Sequence, residues 1–243
     1  MEEKSYIEIL EEIIKGAEVV DLSYALQEYM PAWPTQARFG SVIYESYDYG
    51  GAALHSMITM SEHTGTHIDA PKHFVKGGRA IDELALTSVM GRGVHIDALK
   101  IAEKGLLGSD AFRAFEKEHG EIKKGDIVMI RFGWDKKYRL QPDANEYLTN
   151  WPGLSKEAAE YLAEREIGAL GCDTLSIDAY GTRDYSAHHV LLGRGIPVIE
   201  NIVNLEKLPA FSYVIGLPNK FKDGSGSPIR LIALVTIGGN TGL

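Results

Sequence analysis

Seven short segments rich in β-branched and aliphatic residues run through the chain, and they limit its fold more than any other feature. Runs of this composition, bounded by glycine, proline and polar residues, indicate β-strands. The predicted strands are residues 54–60, 93–97, 126–132, 167–177, 196–199, 212–216 and 229–237.

Only three segments place apolar residues at helical spacing. They are residues 5–15, residues 109–119 with Ser109 as N-cap, and a run from Ser155 through Glu164. Strands outnumber helices, and the helices do not alternate strictly with strands. The sequence therefore predicts a mixed α/β fold with a substantial mixed sheet and flanking helices, rather than a doubly wound nucleotide-binding fold.

The chain reads as one domain, because no repeat, low-complexity tract or long linker divides its 243 residues. We assign residues 19–243 to that domain and residues 1–18 to an N-terminal helical extension. A domain of this length buries roughly 70–75% of its unfolded surface and needs no disulfide or structural metal. A metal ion bound here would therefore serve chemistry rather than folding.

Charge and composition exclude several kinds of partner. The 34 acidic residues exceed the 25 lysines and arginines, giving a net charge of −9, which argues against binding to a nucleic-acid backbone. The apolar run 231–235 is far shorter than the ~20 residues of a membrane span, and residues 1–4 do not open a secretory signal. We expect a cytoplasmic protein that acts on a small molecule, with Cys172 as a core residue.

Glycine-rich segments do not match nucleotide-binding or hydrolase motifs. Residues 223–228 lack the Lys-Ser/Thr ending of a P-loop and precede a predicted strand, so we expect a hairpin connection there. No G-x-S-x-G elbow of a serine hydrolase occurs in the sequence.

The most informative segment for function has the pattern H-x3-H-x-D-x3-H and comprises His63, His67, Asp69 and His73. In a regular strand His63 and His67 would lie about 13 Å apart, too far to share an ion. A helix would bring them to about 6 Å, but Gly65 and the neighbouring threonines disfavour a helix. We therefore predict a strand that bends at Gly65, which also leaves room for an ion, followed by a helical turn that starts at Pro71.

The residue types in this segment indicate a metal site. Imidazole nitrogen and carboxylate oxygen bind Zn, Mn or Fe, and two histidines with one carboxylate leave coordination positions open for catalysis. We interpret His63, His67 and Asp69 as ligands, and His73 as a ligand or as an acid and base. The alternatives are a solvated group of loop histidines, or Asp69 acting only as a helix cap.

A second group lies far downstream, where His188 and His189 precede Glu200. Glu200 ends an apolar run, and a buried carboxylate there needs a cation or hydrogen-bond donors. Alone it would be read as a hydrogen-bonded core acid; together with the first group it is interpreted as a ligand.

These motifs resemble a known family, the metal-dependent cyclase-like hydrolases that include bacterial kynurenine formamidase and isatin hydrolase. The signature H-x-G-T-H-x-D-x-P-x-H is complete at residues 63–73, and Glu200-Asn201 follows His188 by twelve positions. The likeness continues through residues 130–134, 152–155, 171–178 and 226–230. It covers most of the chain from about residue 19 onward.

The resemblance implies a swivelling β/β/α domain that assembles as a homodimer or homotetramer. It implies that His63, His67 and Asp69 hold one divalent ion, and that Asp69 and Glu200 bridge to a second ion with His188 as its other ligand. The spacing to Glu200 favours His188 over His189 in that role. The resemblance further implies that His73 donates and accepts protons and that Trp33 packs on a substrate ring.

The predicted reaction is hydrolysis of an amide C–N bond by one or two divalent ions, with Zn preferred to Mn. The resemblance places N-formylkynurenine first as substrate, in tryptophan catabolism, and isatin-like cyclic amides second. A metal-dependent cyclase or lyase is a further reading. The alternative from another functional class is a binding protein in which the metal ion only holds loops together. Asp173 is a candidate to orient a ligand histidine, a role that nothing in the sequence tests.

Overall fold

The strand-rich pattern forms one large curved sheet and two small two-stranded sheets in the computed structural model, which describes residues 4–236. The strands of that range are β1 (Ala17–Asp21), β2 (Gly40–Glu45), β3 (His55–Thr59), β4 (His67–Asp69), β5 (Met90–Asp97), β6 (Leu106–Leu107), β7 (Ile127–Arg131), β8 (Gly153–Leu154), β9 (Ala169–Cys172), β10 (Val198–Glu200), β11 (Phe211–Pro218) and β12 (Gly226–Thr236). The α-helices of the same range are α1 (Tyr6–Gly16), α2 (Asp110–His119), α3 (Lys156–Glu164) and α4 (Ser186–Gly193). The predicted mixed α/β class is confirmed.

The large sheet closes on itself because β12 pairs with several neighbours. The strand order is β1-β12-β11-β5-β7-β9-β10-β4, and the first residues of β12 also pair with β4. Strands β5, β7, β9 and β10 are parallel, whereas β4, β11 and β12 join them in antiparallel pairs. The result is a barrel-like mixed sheet in which the short strand β4 lies between β10 and β12.

The central strand β7 shows how the sequence divides between two cores. Its residues 127–130 are all buried and alternate between the faces of the sheet. Val128 and Ile130 pack in the core that includes Phe112 of α2 and Leu162 of α3. Ile127 and Met129 face the second core, which the curved sheet encloses. A continuous apolar run is typical of a parallel strand covered on both faces.

The three predicted helices are present, with one difference at a cap. Ser155 caps α3 by accepting a hydrogen bond from the amide of Ala158, at 3.1 Å. Ser109 precedes α2, but its hydroxyl hydrogen-bonds the carboxylate of Glu157 instead of a helix amide. Ser109 therefore links α2 to α3 rather than capping its own helix with its side chain.

Other elements differ from the sequence predictions. The strand predicted over 167–177 ends at Cys172, because Thr174 and Ser176 turn their hydroxyls to nearby backbone groups. Helix α4 and strands β1, β2, β6 and β8 were not predicted. The connection between β11 and β12 is a hairpin, as expected, and the predicted strand end at Ile237 lies outside the described residues.

The N-terminal extension forms the predicted amphipathic helix, capped by Ser5, and no side chain of α1 is buried within the described structure. The division at residue 18 stays a prediction, since β1 already begins at Ala17. Strands β2 and β3 form a separate two-stranded ribbon whose apolar residues, Val42 and Met57 among them, are also exposed. Among residues 4–236 there is no helix with the length and hydropathy to cross a bilayer.

Candidate metal centre

The turn before β4 sets up the histidine segment. Gly65 has φ +64°, a left-handed conformation that glycine adopts without strain, and β4 starts two residues later. The bend predicted at Gly65 is therefore present, but His63 lies in the preceding loop rather than in a strand. The expected room for an ion was wrong. A Cβ at Gly65 would lie 2.8 Å from Leu26 and 3.0 Å from Met30, so the missing side chain makes room for these two residues.

The two histidine and carboxylate groups of the sequence meet in one buried hollow. Asp69 Oδ1 lies 2.6 Å from His63 Nδ1 and 3.4 Å from His67 Nε2. Asp69 Oδ2 lies 3.3 Å from His188 Nε2. Glu200 Oε1 lies 3.2 Å from His188 Nε2, and Glu200 Oε2 lies 3.6 Å from His67 Nε2.

These residues form two overlapping ligand sets. The proximal cluster is His63, His67 and Asp69, and the distal cluster is Asp69, His188 and Glu200; in each, the candidate ligand atoms lie within 4.8 Å of one another. Strand pairing brings them together, because Glu200 of β10 stands directly opposite His67 of β4. The structure thus places all five sequence-predicted ligand residues around one hollow.

Each of the three histidines has an acceptor for the ring nitrogen that faces away from the hollow. His67 Nδ1 donates to the carbonyl of Gly65, at 2.7 Å. His188 Nδ1 donates to Asp178 Oδ2, at 2.5 Å, and His63 Nε2 donates to Ser225 Oγ, at 2.9 Å. Such partners fix the tautomer and orientation of metal-binding histidines. The lone pair of the other nitrogen is then directed at the carboxylates.

The charge balance of the hollow fits a divalent cation. Asp69 and Glu200 are 1% and 5% exposed, and within residues 4–236 their ion-pair partners are histidines only. Burial opposes ionisation of Asp69, but His63 and His188, when they carry protons on the nitrogens that face it, outweigh burial and hold the pKa of Asp69 well below its usual range. A divalent cation would take the place of those protons. Two buried carboxylates without lysine or arginine need a cation, and imidazole with carboxylate suits Zn, Mn or Fe.

His73 lies beside this hollow without joining either ligand set. It ends the short helical turn Pro71–His73, which starts at a proline as predicted. Its ring centroid is 4.0 Å from that of His63, and its other side is open to the cavity. Desolvation on the packed side lowers the pKa of His73. The ring is therefore neutral near pH 7.

A cavity of about 320 Å³ opens above the hollow. Its walls combine aromatic and aliphatic side chains with polar ones, Gln36 and Ser176 among them, and its floor is formed by the ligand histidines and Glu200. Trp33 lines one wall and packs edge-to-face on Trp151, with ring centroids 5.9 Å apart. An apolar cleft with a few convergent polar groups is the usual form of a small-molecule site.

The acid that orients His188 is Asp178, rather than the candidate Asp173. Asp173 accepts the backbone amides of residues 132–134 and supports that loop. Asp178 also accepts the amides of Ala187 and His188 at the start of α4, which fixes the helix that carries the ligand. The only sequence signal for Asp178 is its place ten residues before His188.

Two further supporting residues and the choice of histidine emerge from the structure. Ser225 donates to Glu62 Oε2, at 2.7 Å, which leaves its oxygen to accept from His63. No sequence feature singled out Ser225 or Glu62 beyond a turn and a surface acid. His189 is exposed and packs on Phe74, whereas His188 is buried beside the carboxylates.

Comparison with known proteins agrees with this geometry. A sequence profile of the cyclase family, described as putative cyclase, matches residues 20–179. Kynurenine formamidase of Bacillus thuringiensis subsp. konkukian (strain 97-27) is 30% identical over 220 residues, which are 90% of this chain and 98% of that protein.

Solved structures show the same likeness. Isatin hydrolase A from Labrenzia aggregata, bound to benzyl benzoate, has a TM-score of 0.86 and 32% identity, covering 96% of this chain and 100% of that chain. Isatin hydrolase A from Ralstonia solanacearum has a TM-score of 0.88 and 29% identity, over 97% and 99% of the two chains. The profile spans most of the chain and the formamidase likeness nearly all of it, so the chain belongs to the cyclase family of metal-dependent hydrolases.

Proposed function

We propose that this protein hydrolyses the amide C–N bond of a small aromatic amide, with N-formylkynurenine as the first substrate. The observation that carries the proposal is the hollow itself: three oriented histidines and two buried carboxylates at the floor of an aromatic-walled cavity. Relatives named kynurenine formamidase, alike over 90% of the chain, support the choice of substrate.

A second candidate substrate is an isatin-type cyclic amide. The solved isatin hydrolases resemble this chain over 96% and 97% of its length, at TM-scores of 0.86 and 0.88. Both substrates are aromatic amides, so the same hydrolytic site serves either. Steady-state assays of the purified protein on N-formylkynurenine and on isatin separate them, because one reaction releases formate and the other opens a ring.

We infer one or two divalent ions as cofactor, with Zn preferred to Mn. His63, His67 and Asp69 would hold one ion, and Asp69, His188 and Glu200 a second. The position of Asp69 in both clusters supports sharing between two ions. When bound, such an ion would polarise the amide carbonyl and lower the pKa of a water toward neutrality.

The side chains around the hollow supply the remaining steps. His73, neutral at the cavity wall, accepts a proton from the attacking water and later delivers it to the amide nitrogen, which leaves poorly as an anion. Trp33 offers an aromatic face to the substrate ring.

The role of His73 is tested by His73→Ala. We expect the variant to keep its metal content, since His73 belongs to neither cluster, and to lose about 10²- to 10⁴-fold in kcat. The matched control is His119→Ala, which removes a histidine from the far end of α2 and should leave kcat unchanged. Unchanged turnover in His73→Ala would remove His73 from the mechanism.

Chelation distinguishes a catalytic metal ion from one that only holds loops together. We expect a chelator to abolish hydrolysis while circular dichroism at 25 °C still shows the folded protein, because two apolar cores hold the fold independently of the hollow. Unfolding on chelation would favour a metal ion that only holds loops together. Product analysis by mass spectrometry excludes the lyase alternative if N-formylkynurenine yields kynurenine and formate, or if isatin yields a ring-opened product that is one water heavier.

We also propose that the protein is cytoplasmic and forms a homodimer or homotetramer. The exposed apolar side chains of α1 and of the β2–β3 ribbon support self-association, since an isolated two-stranded ribbon is marginally stable in water. Sedimentation velocity tests this: a species at two or four chain masses is expected, and a monomer at micromolar concentration would contradict it.

A further inference from the structure

We propose that Asn201 is a substrate-binding residue whose side-chain Nδ2 donates a hydrogen bond to a carbonyl oxygen of the substrate. This inference rests on the proposed amide hydrolysis and adds to it a polar contact that lies outside both ligand clusters.

The backbone of Asn201 is held firmly at the edge of the hollow. Its φ of +57° is left-handed, a conformation in which asparagine is enriched among non-glycine residues. Its amide donates to the carbonyl of Thr174, at 3.0 Å, and its carbonyl accepts from Thr66 Oγ1, at 2.6 Å. This turn comes directly after Glu200 and points the next side chain along the cavity floor.

Tyr147 decides which way the side-chain amide faces. The Tyr147 hydroxyl donates to Asn201 Oδ1, at 2.6 Å. With the amide reversed, that hydroxyl would have only the carbonyl of Asp173, 3.5 Å away, as acceptor. Because Tyr147 is fully buried, loss of its good acceptor would be costly, so Oδ1 faces Tyr147 and Nδ2 faces away.

The nitrogen of this amide is left for a ligand. Asn201 is only 5% exposed and lines the cavity together with His67 and Glu200. Its Nδ2 donates to no residue in the described part of the chain, yet it is not among the polar atoms sealed from solvent. Two N–H donors beside the hollow, on a side chain that is otherwise fully fixed, form a preorganised acceptor site.

Because Asn201 Nδ2 is a hydrogen-bond donor, the substrate group that it binds must be a hydrogen-bond acceptor. The hollow is lined by carboxylates and by histidines whose free lone pairs face inward, so it offers cations a site but offers an oxygen few donors. An aromatic amide substrate brings carbonyl oxygens, which accept hydrogen bonds. Asn201 therefore binds such an oxygen and fixes the substrate relative to Trp33 and His73.

The test compares two variants with a matched control. Asn201→Asp keeps the acceptor for Tyr147 and removes the donor, and Asn201→Gly removes the side chain without strain at positive φ. The control Asn204→Asp changes an asparagine with φ +63° whose Nδ2 donates to the carbonyl of Asp21 rather than lining the cavity. Metal content and melting temperature are measured for all of them.

We expect kcat/KM on the hydrolysed substrate, N-formylkynurenine or isatin, to fall about tenfold or more in both Asn201 variants. Asn204→Asp should lower the melting temperature and leave kcat/KM within about twofold, because it loses only a structural hydrogen bond. A direct readout is the ¹⁵N side-chain amide resonance of Asn201 in the His73→Ala background, which should shift on saturation with that substrate.

The outcomes are distinguishable. A wild-type protein inactive on both substrates overturns the proposed function and this inference with it. An active wild type whose Asn201→Gly variant keeps full kcat/KM, or whose Asn201 amide resonance does not move with substrate, overturns the role of Asn201 alone.

Discussion

The proximal and distal clusters share Asp69 but differ in charge and in the groups that accept hydrogen bonds from the outer ring nitrogens of their histidines. The proximal cluster has two histidines backed by neutral acceptors, the Gly65 carbonyl and the Ser225 hydroxyl. The distal cluster has one histidine backed by the carboxylate of Asp178, together with a second carboxylate, Glu200. Imidazole-rich sites suit Zn, and carboxylate-rich sites suit harder ions such as Mn. The distal cluster carries more negative charge, so it needs a bound cation more strongly. Its metal affinity also depends more on the Asp178 carboxylate that hydrogen-bonds His188.

The largest effect should come from Asp69→Asn, because Asp69 is the only member of both clusters. We expect bound metal to be lost and kcat/KM to fall about 10³-fold or more, since metal assistance is worth several kcal/mol. Elemental analysis of the purified variant, paired with the hydrolysis assay, measures both losses.

The control for that variant is Asp97→Asn, at the exposed end of β5 beside Arg131, which should keep metal and activity. Full metal content in Asp69→Asn would show that the clusters do not share this ligand.

A smaller effect is expected from Asp178→Asn, which acts only on the distal cluster. The imidazole of His188 loses the charge behind it, and the amides of Ala187 and His188 lose one acceptor oxygen. We predict a loss of 10- to 100-fold in metal affinity or activity, the usual cost of removing such a partner. Titration of metal-free protein with Zn or Mn by calorimetry gives the affinity.

Asp184→Asn is the matched control, because Asp184 precedes the same helix but is exposed and bonded to Thr182. Equal metal affinities for the two variants would mean that the carboxylate behind His188 has no influence on the distal cluster.

The smallest effect should follow Ser225→Ala, which removes the neutral acceptor of His63 in the proximal cluster. Loss of one uncharged hydrogen bond predicts a reduction of about threefold to tenfold in metal affinity. Ser88→Ala, a hydroxyl bonded to the carbonyl of Ala85 on the surface, controls for loss of a hydroxyl. A Ser225→Ala loss as large as that of Asp178→Asn would erase the difference between the clusters.

The same contrast explains how much of the site could be predicted from the sequence. His63, His67, Asp69 and His73 lie within eleven residues, so local spacing and ligand chemistry already indicated a shared site. The distal cluster joins residues 131 positions apart, from Asp69 to Glu200; ligand chemistry made Glu200 a candidate, and the family resemblance supplied its pairing with Asp69 and His188. Strand pairing between β4 and β10 makes that link, and periodicity does not reveal which strands become neighbours.

The supporting residues were the least predictable. Asp173 and Asp178 stand in the same buried segment, and which of them faces His188 depends on the loop after β9. That loop is shaped by hydroxyls of Thr174 and Ser176 bonding nearby backbone groups, which override the strand propensity of the segment. Helix α4 was not predicted because its eight residues are too few to show a clear helical period.

The most direct test of the account is crystallography of the natively purified protein with anomalous diffraction at the absorption edge of the bound metal. We predict an anomalous peak between Asp69 and the proximal histidines, within about 2.0–2.2 Å of ligand nitrogen or oxygen, and a second beside Glu200 and His188 if two ions bind. Active protein whose hollow shows no anomalous density, or whose metal lies elsewhere, would contradict it.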